Sequence, residues 1–180
     1  LLGAVFRALY LSERQNDAYF LSPGLDGAYH SYWAECIFRG DTPPPSGDAD
    51  PELSRHPYFR PPGYPFFLAL VSFGGRWGPL APRAAQMALG LASMVLLYFL
   101  GKRIFGASVG LIAAAMAALF WVLIYFEGEL LAPPLLVALT LLLLNALAGW
   151  RERRRVSGAL VSGILLGLCV LTRPNFLLFG

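Results

Sequence analysis

The stretch IFGASVGLIAAAMAALFWVLIYF, residues 104–126, carries no charged side chain and decides the class of fold. A helix needs about 20 apolar residues to cross the hydrocarbon core of a bilayer. Residues 84–101, 130–150 and 156–172 are equally free of charge. A charged side chain at the bilayer centre costs about 2.5–3.5 kcal/mol on insertion scales, so four clean windows predict four transmembrane helices. Residues 1–12 read as the end of an earlier span, interrupted only by Arg7. The whole chain agrees: its 180 residues are 57% hydrophobic and only 14% charged, with a mean hydropathy of +0.57. Soluble domains carry about 25% charged residues. Disorder, collagen and a disulfide-stapled miniprotein are excluded, and the class is an all-α polytopic membrane protein. The chain starts at Leu1 and stops at Gly180 within an apolar stretch, and it reads as an N-terminal piece of a longer protein.

Charge placement predicts sidedness. Lys102-Arg103 and the group Arg151, Arg153, Arg154, Arg155 are separated by two spans and share a face. Short loops rich in Lys and Arg are cytoplasmic. The segment 13–83, the turn at 127–129 and the residues after Thr172 then face outward together. The net charge of +3 adds little, because topology accounts for the basic residues. Residues 61–75 are uncharged but short, with Pro61, Pro62 and Pro65 at their start and Gly74-Gly75 at their end. They fit an interfacial helix over 62–75 better than a span.

Twelve of the 25 charged residues fall between Glu13 and Arg60, eight of them acidic. Tyr29, Trp33, Cys36 and Ile37 recur at helical steps and predict an amphipathic helix over 26–39, closed by Gly40-Asp41. Residues 42–52, with three consecutive prolines, read as a polar excursion. Asp26 has two readings: an N-cap, or a general base with a partly desolvated carboxylate at the membrane surface. His30 follows one turn later, but two ligands make no metal site, and no metal is expected. Glu127 and Glu129 read as solvated loop carboxylates. Arg60 and Arg173 suit either lipid headgroups or a bound phosphate. Cys36 and Cys169 lie in unlike surroundings, and no disulfide between them is expected. Gly106/Gly110 and Gly163/Gly167 have the spacing of helix-packing motifs. The chain contains no phosphate-binding GxxxxGK and no GxGxxG.

In order along the chain, these pieces resemble membrane glycosyltransferases of the GT-C fold, in the branch of the protein O-mannosyltransferases and the lipid A aminoarabinose transferase. Pro23-Gly24-Leu25-Asp26-Gly27-Ala28-Tyr29-His30, continuing through Trp33-Ala34 to Gly40-Asp41, is similar to their first outer loop. Arg60-Pro61-Pro62-Gly63-Tyr64-Pro65 resembles their proline-rich juxtamembrane helix. Arg83 and Gln86 open the next span as they often do in that family, Tyr125 to Leu131 resembles the second outer loop, and Leu171-Thr172-Arg173-Pro174 the close of a later span. The likeness runs over nearly all 180 residues.

The resemblance implies a GT-C-like helix bundle over 84–180 with a large first outer loop, 13–83, carrying juxtamembrane helices. It implies transfer of a sugar from a polyprenyl-phosphate donor to a protein, lipid or glycan acceptor on the non-cytoplasmic face. Asp26 is then the general base, and also a cap. Arg60 and Arg173 bind the donor phosphate, while Glu127, Glu129, Tyr29, His30 and Tyr64 position acceptor or sugar. Expected partners are the donor, membrane lipids and the acceptor, with no nucleic acid. The implied location is a bacterial inner membrane, with the site facing outward. Some relatives have carboxylates suited to a divalent metal, but here Gly27 follows Asp26 and Ala132 precedes Pro133, so no cofactor is expected. Rival readings are a multi-span transporter subunit, which would place ionisable residues along the spans, and a non-catalytic membrane scaffold.

Overall fold

The computed structural model describes residues 1–41 and 60–179, and among them it contains helices and no strand. The polar excursion expected over 42–52 lies outside the described residues. Helix α1 spans Leu2–Arg14. A single turn, α2 (Ala18–Leu21), follows, with the Asp17 carboxylate accepting from the Tyr19 N–H at 2.9 Å. Helix α3 runs Leu25–Arg39 and stops at Gly40, whose φ of +90° lies in the left-handed region that glycine enters freely. Its N-cap is Gly24, with no side-chain capping bond. Asp26 is therefore not the cap that its sequence position suggests: it sits inside the first turn, and its carboxylate is turned to another partner.

Helix α4 runs Gly63–Ser72, within the 62–75 stretch expected to be helical. It tolerates Pro65 in its first turn, where no intrahelical N–H is required. The bundle comprises α5 (Leu80–Phe105), α6 (Ala107–Leu119), α7 (Trp121–Gly128), α8 (Pro133–Arg153) and α9 (Val156–Thr172), before a 3₁₀ segment, Pro174–Phe179. Two of these, α5 and α8, are long and apolar enough to cross a membrane. The window 104–126 is not one straight rod. It breaks at Phe120, and α6 and α7 meet at 53°, the geometry of a broken span or of a re-entrant loop. The apolar helix α9 has 17 residues, shorter than α5 and α8. Along these helices Val95, Phe99, Leu111, Ile112, Met116, Leu160 and Ile164 are exposed, a surface suited to lipid and not to water.

Small residues set the closest approaches. A Cβ on Gly101 would lie 2.8 Å from Gly110 Cα, so α5 and α6 touch backbone to backbone there. The first glycine motif thus packs only through Gly110, whose counterpart is Gly101 on the neighbouring helix. Gly106 is the turn between α5 and α6, with φ of +100°. Gly163 and Gly167 have nothing within 4 Å of a built Cβ, so among the described residues the second motif packs against no helix. Both cysteines are buried free thiols.

Candidate active site

Five helices converge at one end of the bundle. Ala34 of α3, Tyr64, Leu68 and Ala69 of α4, and Leu130 after α7 form one apolar cluster, against which Leu135 of α8 packs. The start of α4 abuts the end of α9: a Cβ on Gly63 would fall 2.7 Å from the Leu171 carbonyl carbon. This contact carries the Arg60–Gly63 segment to the helix end that Arg173 follows. Arg173 is exposed, and its N–H closes α9 on the Cys169 carbonyl at 2.7 Å.

Asp26, Arg60, Tyr29, His30 and Tyr64 form one contiguous set. The Arg60 Nη1 donates to Asp26 Oδ1 at 2.5 Å, and its guanidinium lies 4.6 Å from the centre of the Tyr29 ring. The Asp26 side chain is 55% exposed, so the partly desolvated carboxylate expected from the sequence is instead an open one with a cation on it. The turn that presents it faces solvent, whereas Tyr29 and Trp33, on the adjoining strip of α3, are buried. His30 is buried between two aromatic edges, with ring centres 5.3 Å from Tyr29 and 4.9 Å from Tyr64. Burial, reinforced by the Arg60 charge and opposed by Asp26, pushes its pKa down from 6.5 to about 4, so the imidazole is neutral at pH 7. Its Nδ1 is buried without a hydrogen-bond partner. Tyr64 is 1% exposed and its hydroxyl donates to Gln86 Oε1. Burial raises that phenol well above its ordinary pKa, so it stays a donor, but it points into the core and not toward a ligand.

The two glutamates separate. Glu127 is not a solvated loop carboxylate. It lies in the last turn of α7, 3% exposed, and both its oxygens are taken by Arg7, with Nε–Oε2 at 2.6 Å and Nη2–Oε1 at 2.7 Å. A charge this deep persists only when paired, and Arg7, midway along α1, meets that need. Gly90 of α5 leaves the room, since a Cβ there would sit 2.0 Å from Glu127 Oε1. Glu129 is partly buried in an ion pair with Arg14, which also binds Asp17.

Two residues of α5 hold the turn between them. Gln86 Nε2 donates to the carbonyls of Glu127, at 2.9 Å, and Glu129, at 2.5 Å. Arg83 Nε donates to that of Gly128 at 2.9 Å, with its guanidinium 4.2 Å from the Phe20 ring centre. Sequence reasoning noted Arg83 and Gln86 only as openers of a span, and Arg7 only as an interruption. The available signal was polarity itself, because such a side chain among apolar residues must find a partner.

No group of three His, Cys, Asp or Glu side chains among the described residues is placed to hold a metal ion. Asp26 and Glu127 already carry guanidinium partners, and a metal bridge between their two turns does not fit this donor set.

Residues 59–180 match the family described as dolichyl-phosphate-mannose-protein mannosyltransferase. The match begins just before Arg60 and takes in α4 to α9, whereas Asp26 and the rest of α3 lie ahead of it. No curated protein matches the chain. No solved structure matches it either. Two-thirds of the sequence, an all-helical fold and membrane-length apolar helices agree: the chain belongs to the dolichyl-phosphate-mannose-protein mannosyltransferase family and is an integral membrane glycosyltransferase that uses a polyprenyl-phosphate-linked sugar donor.

Proposed function

We propose that this protein moves a sugar, mannose by its family's description, from the polyprenyl phosphate to a protein hydroxyl on the non-cytoplasmic face, with Asp26 as general base. The observation that carries the reading is the Asp26–Arg60 pair, set on aromatic rings beside the junction of α4 and α9. The acceptor oxygen attacks the anomeric carbon while the bond from that carbon to the phosphate oxygen breaks. The hydroxyl proton passes to Asp26, and polyprenyl phosphate leaves. The protein's work is positioning and charge stabilisation.

Arg60 suits the phosphate because its guanidinium fork matches two phosphate oxygens. As the phosphate draws Arg60 from Asp26, the carboxylate is released to accept a proton. Arg173, exposed at the end of α9, is the second cation for the same phosphate. An apolar groove of about 480 Å³ between α8 and α9, lined by Leu143, Leu144, Leu147, Leu166 and Phe176, suits the polyprenyl tail. Glu129, whose carboxylate is less enclosed than that of Glu127, is the better placed of the two glutamates to face an acceptor. The basic residues between spans favour an inner membrane with this end facing outward.

The test is Asp26→Asn in the full-length protein, reconstituted in vesicles with polyprenyl-phosphate mannose and a serine- and threonine-bearing peptide. Loss of a general base is expected to lower kcat by about 10²–10⁴-fold. Transfer at the wild-type rate would remove Asp26 from the chemistry.

A further inference from the structure

A line of contacts, buried from Gln86 to Tyr29, joins the turn after α7 to the exposed Asp26, and it passes through one amide. Gln86 is 0% exposed. Its NH₂ reaches the carbonyls of Glu127 and Glu129, and its Oε1 accepts from Tyr64. His30 stands edge-on to Tyr64 at 82° and edge-on to Tyr29 at 73°; Arg60 lies over Tyr29 and holds Asp26.

We propose that Gln86 is a positioning residue for sugar transfer, fixing Tyr64 and, through the His30–Tyr29–Arg60 stack, the placement of Asp26. The inference rests on the reading of Asp26 as the base.

The chemistry requires an amide at this point. The end of a helix leaves carbonyls without intrahelical donors, and Gln86 supplies two hydrogens to them while keeping an acceptor for the tyrosine. Glutamate would keep the acceptor, lose the donors and bring a negative charge against carbonyl oxygens. Methionine would fill the space and make neither contact. Arg83, one turn earlier on α5, holds the remaining carbonyl of the turn, at Gly128, so α7 and α5 are locked in register there. Buried in low dielectric and fully bonded, such a network rigidifies its members. Tyr64 is anchored at its hydroxyl and clamped between Phe67, with ring centres 6.0 Å apart, and His30. Releasing the hydroxyl leaves only the ring contacts to set the height and tilt of the imidazole. A misplacement of about 1 Å at a reacting group can cost on the order of 10²-fold in rate.

Gln86 and Tyr64 are too deeply buried to touch substrate, so their removal should act on turnover. The experiment compares Gln86→Met, Tyr64→Phe and Asp26→Asn with wild type in the vesicle assay, with rates normalised to monodisperse, folded protein. We expect kcat to fall roughly 10- to 100-fold in both Gln86→Met and Tyr64→Phe, with the donor KM within about threefold of wild type. Tyr64→Phe loses a single hydroxyl and keeps the stack, which guards against a variant that merely fails to fold. Wild-type kcat in either variant overturns the positioning role while leaving Asp26 as the base. A deficit that vanishes on normalising to folded protein also overturns it, by reducing Gln86 to a stability element. Full activity in Asp26→Asn defeats the reading of the base itself and is distinguishable from both.

Discussion

The two ends of the bundle are held together by different forces. At the end bearing Asp26, buried polar side chains bind backbone and one another: Arg7 with Glu127, Arg83 with Gly128, and Gln86 with Tyr64 and two carbonyls. At the opposite end, Gly101 and Gly110 meet backbone to backbone. There Arg103 reaches the Asn145 carbonyl at 3.0 Å and Glu152 at 3.2 Å, both charged side chains being more than a third exposed. Close packing of small residues is enough to join helices in lipid. Fixing a site to within an ångström takes directional bonds, and those are concentrated where the chemistry is proposed.

The sharpest way to break this contrast is to unpair one buried charge. Arg7→Met leaves Glu127 buried without its cation and should cost about 3–5 kcal/mol. Thermal unfolding in detergent would register the loss, and Arg7→Met with Glu127→Gln should recover most of it.

Acid probes the same end. Folded His30 titrates at about 4 against an ordinary 6.5. Between those values the unfolded chain binds a proton that the folded chain does not. The contribution is complete above about pH 6.5 and is lost as pH falls toward 4, amounting in full to about 3 kcal/mol. Unfolding midpoints at pH 7.5 and 4.5 should therefore diverge more for wild type than for His30→Gln.

Gly90→Ala forces a methyl against the Glu127 carboxylate and is expected to cost about 1–3 kcal/mol, again read by thermal unfolding. The smallest effect belongs to the other end. Arg103→Ala removes an exposed pair and should change stability by less than about 1 kcal/mol. A loss from Arg103→Ala equal to that from Arg7→Met would erase the distinction between the ends.

Much of this fold was legible in the sequence because hydrocarbon imposes a simple rule on apolar runs. The window 84–101 lies within α5 and residues 133–150 of the window 130–150 within α8, and the strip of Tyr29, Trp33 and Cys36 is buried as its spacing predicts. Phe120 was not legible as a break, because it is as apolar as its neighbours and the bend comes from what α7 must reach. Of the candidate site, Asp26, Arg60, Tyr29, His30 and Tyr64 do come together. The fate of Glu127 was hidden because its partner lies 120 residues away, and no local pattern encodes such a distance. The direction of the Tyr64 hydroxyl was hidden for the same reason: Gln86 is on another helix.

The bend at Phe120 bears on how the protein is made. A broken helix exposes backbone groups that lipid cannot satisfy, and α7 adds the carboxylate of Glu127 to that burden. The segment is a poor solo passenger in the bilayer and becomes acceptable once Arg7 and the groove at Gly90 receive it. Arg7 therefore has no matched carboxylate until α7 has been synthesised, and the pair that then forms lies just beneath the turn on which the proposed catalytic geometry rests.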